Sequence, residues 1–99
     1  MPRYCLNVKL YIKPERVEDF LKTIMEDKKM TEETEPTCKL FKVGKSTTEE
    51  NVYFLVEHYD DKAAFEFHCT TPQFALWKAF AGSEPFTQPP HVDIFDECE

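Results

Sequence analysis

Glycine is scarce in this chain, with two residues in 99, and no glycine-rich loop of the kind that cradles phosphate groups occurs. Histidine, cysteine and carboxylate residues also lack the spacings typical of metal sites, and His58, His91 and Asp93 form no recognised ligand set. We therefore expect the protein to carry no metal, flavin or haem.

Cysteine pairs at short spacing are also missing. The four cysteines, at positions 5, 38, 69 and 98, are too far apart for a Cys-x-x-Cys zinc knuckle or redox pair. An intracellular chain keeps its thiols reduced, so we expect four free thiols. The alternative is a Cys5–Cys98 bridge between neighbouring predicted strands.

The chain has few basic residues and no long hydrophobic run. Lysine and arginine number 12 against 19 acidic residues, which gives a net charge of −7. Such a charge repels phosphate backbones and anionic lipid surfaces, so neither nucleic acid nor membrane is an expected partner. The opening residues 1–14 alternate between polar and apolar, unlike a secretory signal or a membrane span. We expect a cytoplasmic protein.

What the chain does have is apolar and aromatic area: 41% of its residues are hydrophobic and 14% are aromatic. This content excludes disorder, because enough apolar surface can be buried to offset chain entropy. The length fits a single domain, residues 1–99, in which one modest core must suffice. A partner subunit would add buried surface.

The first half of the chain predicts a strand, a helix and a connection. Residues Tyr4–Ile12 alternate with period two, which is typical of a strand. Pro14 suits the first turn of a helix. The predicted buried stripe of that helix contains Val17, Phe20, Leu21, Ile24 and Met25. Residues 27–36 lose this periodicity and carry both charges, so they predict a solvated surface connection.

The second half predicts a hairpin, two helices and a last strand. A strand over 37–43 and a turn over 44–50 precede a strand over 52–59 that reads as buried on both faces. Asp60 or Asp61 can cap one helix, and Thr70 or Thr71 followed by Pro72 can cap the next. A short edge strand over 91–95 follows the proline-rich loop.

The resulting order β-α-β-β-α-β predicts an α+β, ferredoxin-like fold with an antiparallel sheet whose central strands are the first and third. Helices can cover only one face of such a sheet, whereas both faces of the central strands carry large apolar residues. We therefore expect a homodimer formed by packing two sheets face to face.

Two ionisable residues fall at positions where core residues are expected. His68 shares an apolar helical stripe with Ala64 and Phe67, and its neutral ring could accept a proton from a bound substrate. A hydrogen-bonded core histidine is the alternative. Glu57 lies in the central strand and must be paired, protonated or facing a cavity. It could orient His68, or it could form a salt bridge to a lysine or to a partner subunit.

Further candidates are an amide and a group of aromatic residues. Asn7 lies in the middle of the first strand and could donate a hydrogen bond to a substrate carbonyl or oxyanion, although a surface asparagine is an equal alternative. Aromatic side chains that could wall a flat substrate pocket, or simply form core, are Tyr53, Phe41, Phe74 and Trp77.

The string FLVEHYDDKAAFEFHCTTPQF, together with EPTCKLFKV upstream, resembles the signature of the antibiotic biosynthesis monooxygenase family. This resemblance implies a dimeric α/β barrel that works without prosthetic groups. It implies oxygenation of a quinol or polycyclic phenol, or isomerisation of a compact polar ketone. In either reaction His68 would be the base, Glu57 its orienter and Asn7 a donor to the oxyanion. The alternative is a non-catalytic homodimeric ligand-binding or structural module.

Overall fold

The computed structural model describes residues 2–99. Its four strands are β1 (Tyr4–Tyr11), β2 (Cys38–Lys45), β3 (Val52–Tyr59) and β4 (His91–Asp96). Its helices are α1 (Val17–Thr34), preceded by a short 3-10 turn (Pro14–Arg16), then α2 (Lys62–His68) and α3 (Pro72–Ala81). The sheet order is β2-β3-β1-β4 and every pairing is antiparallel. The α+β, ferredoxin-like prediction is confirmed, with β1 and β3 at the centre.

The two short helices begin where their capping residues predict. The Asp61 side chain accepts a hydrogen bond from the Ala64 backbone N–H at 2.8 Å. Thr71 does the same for the Phe74 N–H at 3.3 Å, and Pro72 fills the first helical position. Each cap satisfies a backbone donor that the helix itself leaves unpaired. The local sequence thus fixes where α2 and α3 begin.

All three helices pack on one face of the sheet. Phe20 and Ile24 of α1 are fully buried in one cluster with Leu10 and Leu55 of the central strands. Full burial of such side chains contributes about 1.5–3 kcal/mol each. Ala64 of α2 belongs to a second buried cluster at the other end of this face.

The first helix is longer than the sequence pattern indicates. The prediction that residues 27–36 form a solvated connection is wrong, because α1 continues to Thr34. Asp27, Thr31 and Glu35 are buried, with at most 3% of each exposed. Their spacing of four extends the stripe of Phe20 and Ile24 by polar residues, so a search for apolar periodicity ends too early.

Smaller boundary differences accompany this one. Met25, predicted to be buried, is 47% exposed, because it lies beside the inward stripe of α1 rather than in it. Strand β2 runs over Cys38–Lys45, two residues further than predicted, and β4 ends at Asp96. All four cysteines are free thiols. No helix within residues 2–99 is long and apolar enough to cross a membrane.

The opposite face of the sheet has no helix on it within residues 2–99. Because successive strand residues point to opposite faces, Asn7 and Lys9 of β1 lie on this open face beside Phe54 and Val56 of β3. Phe54 is 39% exposed and Phe95 of β4 is 43% exposed. Apolar residues are therefore present on both faces, as expected for a sheet that packs against another surface.

Candidate functional site

A cavity of about 220 Å³ lies between the helices and the covered face of the sheet. Its wall is largely apolar, and three ionisable side chains interrupt it. The lining includes Leu6, Val8, Leu55, Glu57 and Val92 from the sheet, and Asp27, Phe65, His68, Phe74 and Trp77 from the helices. A cavity of about 150 Å³ suffices to hold benzene. The space is therefore adequate for a small aromatic molecule.

The last residue of α2, His68, is held in a fixed orientation. Its Nδ1 lies 2.9 and 3.0 Å from the two carboxylate oxygens of Glu35, a residue that follows α1. The Gln73 side-chain amide donates to the same carboxylate at 2.7 Å. The Glu35 carboxylate accepts a hydrogen bond from Gln73, and its two oxygens lie at nearly equal distances from Nδ1 of His68. The proton between Glu35 and His68 is therefore assigned to Nδ1. The lone pair of neutral His68 is then on Nε2.

The other ring nitrogen of His68 lies near a second acid. Its Nε2 is 4.0 Å from Oδ1 of Asp27, and Oδ1 also accepts a hydrogen bond from the Thr31 hydroxyl at 3.1 Å. Burial raises the pKa of Asp27 to about 6, although the nearby imidazole and the Thr31 hydroxyl partly oppose that rise. Two carboxyl groups thus flank one imidazole.

Within residues 2–99, the partner of the central-strand acid Glu57 is neither His68 nor a lysine. The Tyr59 hydroxyl, two residues along on the same face, donates to its Oε1 at 2.6 Å. Burial raises the pKa of Glu57 to about 7, the Tyr59 hydrogen bond opposes this rise, and the negative charge of Glu35 adds to it. The expectation that Glu57 orients His68 is wrong, because Glu35 occupies Nδ1. A salt bridge from Glu57 to a lysine of the same chain is also absent within residues 2–99.

Three polar atoms of this cluster remain available to a ligand. They are Nε2 of His68, Oδ2 of Asp27 and Oε2 of Glu57, none of which has a hydrogen-bond partner among the described residues. No side-chain nitrogen or oxygen in residues 2–99 is both sealed from solvent and unpaired. Because all three residues line the cavity, these atoms open into it.

Aromatic rings surround His68 and divide into two groups. Phe65 and Phe74 contact the imidazole, with ring centroids 6.4 and 5.5 Å away, and both also line the cavity, as does Trp77. Phe41 and Tyr59 contact the imidazole at 6.2 and 5.4 Å and are buried. The first group forms the wall of the cavity, while the second supports the ring of His68.

Three predicted site residues do not line this cavity: Phe41, which supports the ring of His68, and also Tyr53 and Asn7. Tyr53 is 4% exposed and packs against Phe20 at 5.0 Å between ring centroids, as a core residue. Asn7 lies between Leu6 and Val8, which line the cavity, so its own side chain points to the open face. The sheet therefore separates Asn7 from His68, and Asn7 cannot serve an oxyanion at Nε2 within one chain.

Sequence reasoning missed three residues around the histidine, which are Asp27 of α1, Glu35 directly after α1 and Gln73 of α3. The available signal was spacing, since Asp27, Thr31 and Glu35 recur every four residues. Within residues 2–99 no group of three or more histidine, cysteine or acidic side chains is arranged to hold a metal ion. The expectation of a protein without cofactors stays a prediction.

The four-stranded antiparallel sheet, with its helices packed on one face, places the chain in the class of α+β, ferredoxin-like domains. Within that class, the chain belongs to the antibiotic biosynthesis monooxygenase family, whose model matches residues 3–80. The resemblance of the strings around His68 to that family is thereby confirmed.

Solved structures show the same fold. A candidate antibiotic biosynthesis monooxygenase from Caulobacter crescentus aligns with a TM-score of 0.90 and 24% identity, over 99% of this chain and 92% of that one. A conserved protein from Methanosarcina mazei aligns with a TM-score of 0.86 and 18% identity, over 99% and 95%. No curated protein sequence matches the chain. At these identities the neighbours establish the fold alone.

Proposed function

We propose that the protein is a cofactor-independent monooxygenase that acts on a quinol or polycyclic phenol. The observation that carries this proposal is a buried histidine with one nitrogen fixed by the Glu35 carboxylate and the other open to an aromatic cavity. This is the arrangement that general-base catalysis requires, because an oriented imidazole presents its lone pair to the substrate.

The reaction would begin with proton transfer from an acidic O–H or C–H of the substrate to Nε2 of His68. The imidazolium formed would lie between Glu35, 2.9 Å from Nδ1, and Asp27, 4.0 Å from Nε2. Both carboxylates stabilise the positive charge as it develops, since the site is buried and its dipoles are already oriented. Glu35 takes the orienting role that the sequence suggested for Glu57.

The substrate anion would then supply the electrons for oxygen activation. It adds to dioxygen to form a carbon–oxygen bond and, with the proton from His68, a hydroperoxide. Loss of water from this hydroperoxide leaves one oxygen atom in the product and the other in water. For a dihydroxynaphthalene the balance is one quinol and one dioxygen giving one hydroxynaphthoquinone and one water.

The lining of the cavity supports an aromatic substrate over a compact polar ketone. Trp77 and Phe74 contribute aromatic rings to it, and apolar residues of the sheet contribute most of the rest. A small polar ketone would leave most of this apolar surface unfilled. Isomerisation therefore has less support than oxygenation.

The proposal predicts oxygen uptake by the wild-type protein with a panel of reduced naphthoquinols and polycyclic phenols. Oxygen consumption should equal product formation, and mass spectrometry with heavy-isotope dioxygen should place one labelled atom in the product. Simple autoxidation would instead give unlabelled quinone and hydrogen peroxide. If no panel member is turned over and none raises the melting temperature, the non-catalytic module becomes the better account.

We also propose that the protein is a homodimer in which the open face, with Phe54 and Phe95, is covered by the same face of a second copy. Isologous packing would bury this exposed apolar sheet face against the same face of the second copy. Light scattering should give twice the mass of one chain, and Phe54→Glu should shift the population to monomer because it places charge in the contact. A monomeric wild type at micromolar concentration would contradict the dimer.

A further inference from the structure

The polar groups that face the cavity carry an unbalanced charge. Asp27 and Glu57 each present an unpaired carboxyl oxygen, and Glu35 lies just behind them on His68. Among residues 2–99, neither lysine nor arginine lines the cavity. His68 is the only basic side chain in this part of the lining, and Glu35 already engages its Nδ1. The wall of the cavity thus offers more hydrogen-bond acceptors than donors.

We propose that this cavity selects its ligand by charge, so that the preferred ligand is an aromatic ring bearing a short ammonium-substituted arm. The ammonium would lie between Asp27 and Glu57, with the ring against Phe74 and Trp77. A neutral alcohol on the same ring would bind less tightly, and a carboxylate or phosphate least. The inference rests on the proposed function only for the identity of the site, and it concerns binding rather than turnover.

Simple electrostatics supports this order. A permanent anion such as a carboxylate or phosphate, placed beside two carboxylates, meets repulsion, and no basic side chain other than His68 lines the described part of the wall to offset it. The substrate anion of the proposed reaction differs, because it forms together with the imidazolium of His68. An ammonium group instead gains two carboxylate partners, while Phe74 and Trp77 contact the aromatic ring of the ligand. The net charge of −7 also favours the approach of cations over anions.

The partners of the two acids show that these oxygens can serve a ligand. Thr31 and Tyr59 each occupy one carboxyl oxygen, at 3.1 and 2.6 Å, and so hold the other in place. Asp27 and Glu57 are 3% and 7% exposed, which means that their remaining accessible surface faces the cavity rather than bulk solvent. Preorganised acceptors lose little conformational entropy on binding.

The test uses three probes with the same ring: naphthylmethylamine, naphthalenemethanol and naphthoate. Calorimetric titration of the wild-type protein at about pH 8, where Asp27 and Glu57 are charged, should give affinities in the order amine, alcohol, carboxylate. The amine should bind at least about tenfold more tightly than the carboxylate. Equal or reversed affinities, or no binding of any probe, would overturn the proposal.

Isosteric variants assign the selectivity to the cavity. Asp27→Asn and Glu57→Gln keep an oxygen for Thr31 and Tyr59 but remove the charge, so each should lower the ratio of amine to carboxylate affinity by about fivefold or more. Glu18→Gln removes the same charge from the exposed side of α1 and should leave the ratio unchanged. A ratio that falls equally in all three variants would show that net charge alone sets the preference, against the proposal.

The binding assay and the turnover assay test the charge selection and the proposed reaction independently of each other. If the amine is preferred but no quinol is oxygenated, the charge selection stands and the proposed reaction falls. If quinols are oxygenated while the carboxylate probe binds as well as the amine, the reaction stands and the charge selection falls.

Discussion

Replacing His68 with glutamine is expected to lower kcat for quinol oxygenation by about 10²–10⁴-fold, the usual contribution of a positioned general base. Nε2 of His68 is a proton acceptor whose orientation is fixed from behind, by the Glu35 carboxylate at 2.9 Å from Nδ1. Steady-state oxygen uptake measures the change. KM should alter little, because Phe74 and Trp77 still provide the apolar wall.

The glutamine variant is chosen to keep the fold. Its side-chain amide can donate to Glu35, so that this buried carboxylate is not left without a partner on α2. The matched control is His91→Gln on β4, an exposed histidine paired with Asp93, which should retain wild-type rates. A folded His68→Gln protein that turns over at the wild-type rate would remove His68 from the mechanism.

The second large effect concerns stability. Glu57→Gln is expected to raise the free energy of unfolding by about 2–3 kcal/mol above pH 7, because the native state then no longer buries a charged carboxylate. The side-chain amide of this variant would still offer an oxygen to the Tyr59 hydroxyl. A group retained at a cost in stability is typical of functional sites.

The pH dependence gives this prediction its sign. The pKa of Glu57 is about 7 in the folded chain and 4.5 when unperturbed, so between these values the folded state binds the proton and the unfolded state does not. The penalty of the buried charge is complete above pH 7 and is lost as the pH falls to 4.5. The gain in unfolding free energy of Glu57→Gln should decrease together with this penalty and disappear at about pH 4.5, as measured by urea unfolding.

Glu18→Gln, a change at an exposed position of α1, controls for net charge and should shift stability little at any pH. If Glu57→Gln is less stable than wild type across this range, then the carboxylate is held by favourable contacts, and its proposed availability to a ligand is wrong.

Features with a local cause could be predicted from the sequence. The sequence predicts strand β3 at its observed bounds, because its run of β-branched and aromatic residues shows no helical periodicity. The start of α3 followed from Thr71 and Pro72, whose capping chemistry involves only neighbouring residues. The burial of Ala64 and His68 also followed from helical spacing, and the structure leaves His68 2% exposed. The placement of Phe67 on the same buried stripe is wrong, because Phe67 is 57% exposed.

What sequence reasoning could not supply was the pairing across elements. Glu35 follows α1 and meets His68 at the end of α2, a contact between residues 33 positions apart. In sequence, a buried run of polar residues looks the same as a solvated run, because the two differ only in their tertiary partners. The pattern around Asp27 therefore predicts a surface connection. The face occupied by Asn7 depends on which side of β1 the helices cover, and alternation alone leaves that choice open.

The most direct test of the central claim is a crystal structure of the protein with a dihydroxynaphthalene bound in the absence of oxygen. The account predicts the ring against Trp77 and Phe74, with one hydroxyl oxygen within hydrogen-bond distance of Nε2 of His68. A ring bound on the open face beside Asn7, or a cavity that excludes the ring, would contradict it.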